Sequence, residues 1–114
     1  MTALRIVLCT APVTAVAGKL SAADLAAQLV DERLCACVNV LPGVTSWFRW
    51  QGKVDRADES LLLIKTTAER LPALRTRVQQ LHPYEVPEFL ELQIADGLPA
   101  YLQWVLAAVQ PERS

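Results

Sequence analysis

The chain has 114 residues, 53% of them apolar and 20% charged, with a formal net charge of −1. That length suits one domain, 1–114, with a single core, and the apolar share excludes a disordered chain. The near-neutral balance leaves no basic field for nucleic acid or an anionic membrane surface, so neither is expected as a partner.

Leu4 to Thr10 is an apolar run with β-branched Ile6 and Val7 at its centre, ended by Ala11-Pro12; it reads as a strand covered on both faces. Ser21 begins a Ser-x-x-Asp capping pattern, after which Leu25, Leu29, Val30 and Leu34 recur at helical spacing. Residues 11–21 before it, with Gly18, suggest a loop or an irregular first turn. Val38 to Leu41 resumes a strand pattern, interrupted at Pro42-Gly43 by a turn or bulge. Val44 to Trp50 then alternates, with Val44, Ser46, Phe48 and Trp50 on one face and Thr45, Trp47 and Arg49 on the other. Gln51-Gly52 predicts a hairpin tip, and Lys53 to Thr67 returns, polar to Glu59 and apolar over Leu61-Leu62-Leu63-Ile64. Glu69 to Leu81 predicts a second helix with an apolar stripe of Leu71, Leu74, Val78 and Leu81, and Pro72 in its first turn. Glu88 to Ile94 alternates, which places Leu90, Leu92 and Ile94 inward and Glu91 and Gln93 outward. Gly97 breaks that run, and Pro99 to Val109 closes as a short helix.

The order β-α-β-β-α-β plus a terminal helix is that of an α+β, ferredoxin-like split βαβ fold, an antiparallel sheet with two helices on one face. The other face needs cover. The hairpin is long for so small a domain and carries Trp47, Phe48 and Trp50 without an obvious partner within the chain, so oligomerisation through sheet edges is expected.

Three cysteines, Cys9, Cys35 and Cys37, cannot all pair internally, and no CxxC pair with a second half exists. Reduced thiols in a reducing compartment fit this set, and Cys35 and Cys37 share a face if their segment is extended. The run Leu4 to Leu8 before Cys9 is interrupted by Arg5 and is too short for a signal h-region, and no apolar run approaches a membrane span. The expected location is cytoplasmic.

Leu81-His82-Pro83-Tyr84-Glu85-Val86-Pro87-Glu88 holds the only histidine, between the second helix and the last strand. Each proline biases its predecessor away from helix, so His82 and Val86 are expected to be non-helical. A rigid loop presenting an imidazole, a phenol and carboxylates contains the ingredients of a metal or small-ligand site; a plain connector with a solvated histidine is the competing reading. Catalytic signatures are absent. Ala17-Gly18-Lys19-Leu20 has Leu20 where a phosphate loop needs Ser or Thr, no GxSxG exists, and His82 has no serine or acid partner at recognisable spacing. No enzyme activity and no organic cofactor are expected.

Ile6-Val7-Leu8-Cys9-Thr10-Ala11-Pro12, Glu32-Arg33-Leu34-Cys35-Ala36-Cys37-Val38-Asn39, Arg49-Trp50-Gln51-Gly52-Lys53, Leu63-Ile64-Lys65-Thr66-Thr67 and the His82–Glu88 segment together resemble the CutA divalent-cation-tolerance family, in the family's order and over nearly the whole chain. The resemblance implies a homotrimer interlocked by its long hairpins and a role in tolerance of divalent cations, copper in particular. It implies a metal site on Cys9 and His82; from the Pro-rich loop itself, Glu85 or Glu88 would complete the sphere. Leu81 stands where the family can carry a second histidine, and one imidazole with one thiolate is a sparse set for Cu(II), so binding is expected to be weak. Cys9 also has a competing reading as a small buried hydrophobe, inert because burial raises its thiol pKa. The trimeric plan is also that of the PII signalling proteins. By that likeness Trp50, Lys65, Thr66, Tyr84 and Glu88 would line a small-molecule cleft between subunits; a trimerisation scaffold is a third reading.

Overall fold

A computed structural model describes residues 2–111. The elements are β1 (Leu4–Pro12), α1 (Ala22–Asp31), β2 (Cys37–Trp50), β3 (Lys53–Thr67), α2 (Leu71–Leu81), β4 (Leu90–Gln93) and α3 (Pro99–Ala108). The strands form one antiparallel sheet in the order β2-β3-β1-β4, which is the ferredoxin-like arrangement anticipated from the element order.

α1 starts where its cap dictates: the Ser21 hydroxyl accepts the Asp24 amide at 3.2 Å. Its core face is Ala22, Leu25, Ala26 and Leu29, not the stripe continuing through Val30 and Leu34. Arg33, at φ 59°, turns the chain left-handed past the helix end, so Leu34 reaches the core from beyond the helix and Val30 stays 40% exposed. α2 begins two residues later than predicted, because a tight turn over residues 67–71 precedes it.

α1 and α2 cover one face of the sheet, packing on Val7, Cys9, Ala11, Leu62 and Ile64. A smaller cluster of Leu4, Ala36, Val105 and Val109 holds α3. By strand alternation Leu4 shares a face with Ile6 and Leu8, so α3 covers one end of the opposite face. β1 is therefore fully covered only toward α1 and α2; Ile6 and Leu8 on the other side are half-buried.

The rest of that second face has no cover within the chain. Register pairs Leu8 with Leu63 and Leu90, Ile6 with Leu92, and Leu41 with Leu61, so these side chains form one apolar surface. Leu90 and Leu92, expected inward, are 54% and 45% exposed on it. Glu91, expected outward to solvent, forms an ion pair with Arg75 of α2. Glu91 and Gln93 are exposed as expected and Ile94 packs on the α3 cluster, so only Leu90 and Leu92 depart from the expectation, because four residues of alternating type do not say which side of a sheet the helices occupy.

Two devices shape the hairpin. Gln51 and Gly52 both have positive φ, 49° and 79°, as a type I′ tip requires. Between Leu41 and Val44 the register shifts, with Gly43 at φ 80°, so Pro42 and Gly43 form the anticipated bulge opposite Ser60. β3 pairs with β1 only from Glu59 onward, so beyond the bulge residues 44–58 form a two-stranded arm. Trp47 (70% exposed), Phe48, Trp50 and Val54 stand open on it. At the start of β2, Cys35 and Cys37 do not share a face. Cys35 precedes the strand and lies in the main core, whereas Cys37 is half-buried opposite Lys65.

Candidate functional site

α2 ends at His82, whose backbone is already extended (φ −69°, ψ 136°) as the following Pro83 demands, while its amide still bonds the Val78 carbonyl. This stop delivers the imidazole, 6% exposed, against the end of β1. Nε2 lies 2.7 Å from the Thr10 carbonyl, and the Tyr84 amide donates to Nδ1 at 3.1 Å. A carbonyl only accepts and an amide only donates, so Nε2 carries the proton and Nδ1, unprotonated, accepts through its lone pair. The ring is neutral, its tautomer fixed and both nitrogens engaged.

Tyr84 stacks obliquely on it, ring centroids 4.7 Å apart, and donates its hydroxyl to Glu59 Oε2 at 2.8 Å. Glu59 is 5% exposed at the point where β3 leaves the sheet for the arm. In the sequence Glu59 is the last of a polar stretch, which strand periodicity alone does not single out. Its signal was a carboxylate set directly before Ser60 and the buried run, where strand pairing with β1 begins.

Electrostatics follow burial. The Cys9 thiol, fully buried, is pushed up to about 12, chiefly by desolvation and further by the Glu88 and Glu59 carboxylates. Burial lowers the His82 pKa, against the opposing pull of the Thr10 carbonyl and Glu59. Partial burial raises Glu88, with Glu59 adding to it. Burial and the hydrogen bond to Glu59 raise Tyr84. Cys9, Glu59, His82, Tyr84 and Glu88 thus form one neighbourhood at the end of β1.

The other anticipated residues are placed elsewhere. Glu85 is exposed and lines a shallow groove against α2 with Arg75, Gln79 and Phe89. Thr66, expected to line a cleft, is fully buried and donates its hydroxyl to the Leu34 carbonyl at 2.7 Å. Its place on the helix-covered face excludes it from an open wall in this chain. Lys65 is half-buried on the opposite face, its ammonium 3.9 Å from Cys37 Sγ. Trp50 sits at the arm tip, six residues beyond Val44 or about 20 Å along the strand, so within one chain it does not meet Tyr84.

As folded, Cys9, His82 and Glu85 do not make a chelate for a divalent cation. The thiol keeps its proton, the imidazole has no free lone pair, and Glu85 faces away along α2. Among the described residues no three His, Cys, Asp or Glu side chains converge as a cation-holding group. Freeing Nε2 leaves the Thr10 carbonyl only the weak Cys9 thiol at 3.7 Å, and freeing Nδ1 takes the Tyr84 amide's acceptor away, at a cost of about 1–3 kcal/mol for a group left unpaired.

Comparison with known proteins agrees with this frame. The profile of the CutA1 divalent ion tolerance protein matches residues 6–108. A divalent-cation tolerance protein CutA of Thermus thermophilus is 54% identical over 84 residues, 74% of this chain and 82% of that protein. The crystal structure of CutA from Xylella fastidiosa superposes with a TM-score of 0.87 at 41% identity, covering 96% of this chain and 100% of that one. A CutA structure from Archaeoglobus fulgidus, described as periplasmic, has a TM-score of 0.83 at 31% identity, covering 94% of this chain and 99% of that one. Among the described residues no helix is long and apolar enough to cross a membrane. With a family profile spanning nearly its whole length and relatives this similar, the chain belongs to the CutA1 divalent ion tolerance protein family.

Proposed function

We propose that the chain acts as a homotrimer, without catalysis and without an organic cofactor, and that it contributes to divalent-cation tolerance by contacting copper or another divalent cation weakly. The observation that carries the assembly is the uncovered apolar half of the sheet, Leu8, Leu41, Leu61, Leu63, Leu90 and Leu92, beside an aromatic arm with no partner of its own. An arm laid on the next copy's open face makes a head-to-tail contact, which closes as a ring when the rotation fits.

The engaged nitrogens of His82 and the protonated Cys9 support the weakness of any cation contact. For Cys9, His82 and Glu85 to act together the loop must open and the thiol must ionise. The exposed carboxylates of Glu85 and Glu88 remain as ready oxygen donors for a hard cation. Three free thiols suit a reducing compartment such as the cytoplasm.

A second reading, a small ligand held between subunits, is favoured by the Tyr84–Glu59 hydrogen bond with Glu88 beside it. These are polar groups gathered at the root of the arm, and Trp50 and Lys65 of the assembly would complete the wall. Calorimetric titration of the trimer with copper, zinc and adenine nucleotides separates the two. Micromolar or weaker copper with silent nucleotides supports the first, nucleotide binding supports the second, and nanomolar copper contradicts the proposed weakness.

A further inference from the structure

We infer that His82 is a tautomer-locked clasp for the Pro83–Glu88 loop and not a ligand for a divalent cation, so that cation contact in this chain does not run through its imidazole. β4 pairs with β1 only as far as Leu8, and two residues further on the Thr10 carbonyl is taken by His82 Nε2–H at 2.7 Å. The ring thus continues the edge bonding of β1 where no strand is present. On its other side Nδ1 receives the Tyr84 amide at 3.1 Å, which closes the turn over Pro83 and sets the phenol so that its hydroxyl reaches Glu59 at 2.8 Å. One side chain therefore ties β1, the loop and, through Tyr84, β3. A metal ligand is held with one nitrogen bare and the other oriented by a hydrogen bond. Here both nitrogens are oriented by the backbone and neither is bare. These contacts are all made within one chain.

The test uses the full chain, with copper(II) and zinc(II) chloride as probes. Because His82 is the only histidine, its imidazole nitrogens are assigned without ambiguity in a long-range nitrogen–proton spectrum. The expected spectrum is that of the neutral Nε2–H tautomer, with ring signals that survive substoichiometric copper(II). His82→Asn retains an oxygen near the Nδ1 position to accept the Tyr84 amide, whereas His82→Ala retains nothing. Amide exchange at Tyr84 should accelerate at least about tenfold in the alanine variant and much less in the asparagine variant, a change of about one decade in local opening. Copper affinity of the asparagine variant should stay within about threefold of the parent. An Nδ1–H tautomer, selective broadening of the ring by copper, unchanged Tyr84 exchange in the alanine variant, or a tenfold loss of copper affinity in the asparagine variant would each overturn the assignment. If His82→Ala fails to fold, the spectrum of the parent and the asparagine titration decide the question.

Discussion

Tyr84→Phe removes one oxygen and nothing else, and the structure sets its effect. The ring and its contact with His82 remain, while Glu59, 5% exposed, loses the hydroxyl bonded to Oε2 at 2.8 Å. A hydrogen bond to a charged acceptor contributes about 1.5–3 kcal/mol, and because Tyr84 is only partly buried the lower part of that range, about 1.5–2 kcal/mol, is expected. Urea unfolding reads this as a fall in midpoint at an unchanged slope, with variants compared at one protein concentration because assembly adds to apparent stability. Combining the change with Glu59→Gln tests the pairing itself: the two effects should fall short of additivity by about 1 kcal/mol or more. A loss below about 0.5 kcal/mol, or full additivity, would show that Glu59 is not held by Tyr84.

The lowered pKa of His82 means that the folded chain binds its proton less readily than the unfolded chain does. The stability it contributes is therefore complete above the ordinary histidine value of 6.5 and is lost as pH falls below it. Glu88 is shifted upward and acts in the opposite sense, but it is exposed and contributes less. Melting temperature should thus drop between pH 7 and pH 5, and His82→Ala should remove that step; an unchanged step would place the titration elsewhere. Cys9 and Cys35, both buried with thiols raised to about 12, should resist a disulfide-exchange reagent at pH 8 until the chain unfolds, and mass-mapped labelling of either in the native protein would contradict their burial. Gly52→Ala should cost about 1 kcal/mol in urea unfolding, because φ is 79° and an added Cβ meets nothing within 4 Å, leaving only backbone strain. No loss would show that the tip has another geometry.

Periodicity was sufficient for the element order, the hairpin tip and the bulge, because Gln51-Gly52, Pro42-Gly43 and the Ser21 cap are local signals with local causes. Faces were harder. Leu90, Leu92 and Glu91 alternate correctly, yet only the position of α2 decides that Glu91 meets Arg75 and the leucines face the open side. Thr66 is a cleft residue only by likeness to the PII proteins; the strand period places it on the face opposite Lys65, where its hydroxyl donates to the Leu34 carbonyl. In the candidate site, the extended backbone at His82 followed from Pro83 alone. What both ring nitrogens bond did not, since Thr10 is 72 residues away in sequence. Glu59 is hidden for the same reason: its contact with Tyr84 is made by the loop returning over the sheet.

The claim on which the functional reading most depends is assembly through the open sheet face and the arm. Multi-angle light scattering on the purified chain at micromolar concentration tests it directly. The predicted mass is three times the 12.6 kDa of one chain, falling when Leu92→Lys places a charge on the apolar face. A mass of one chain for the parent protein, with its leucines and tryptophans left in water, would contradict the account.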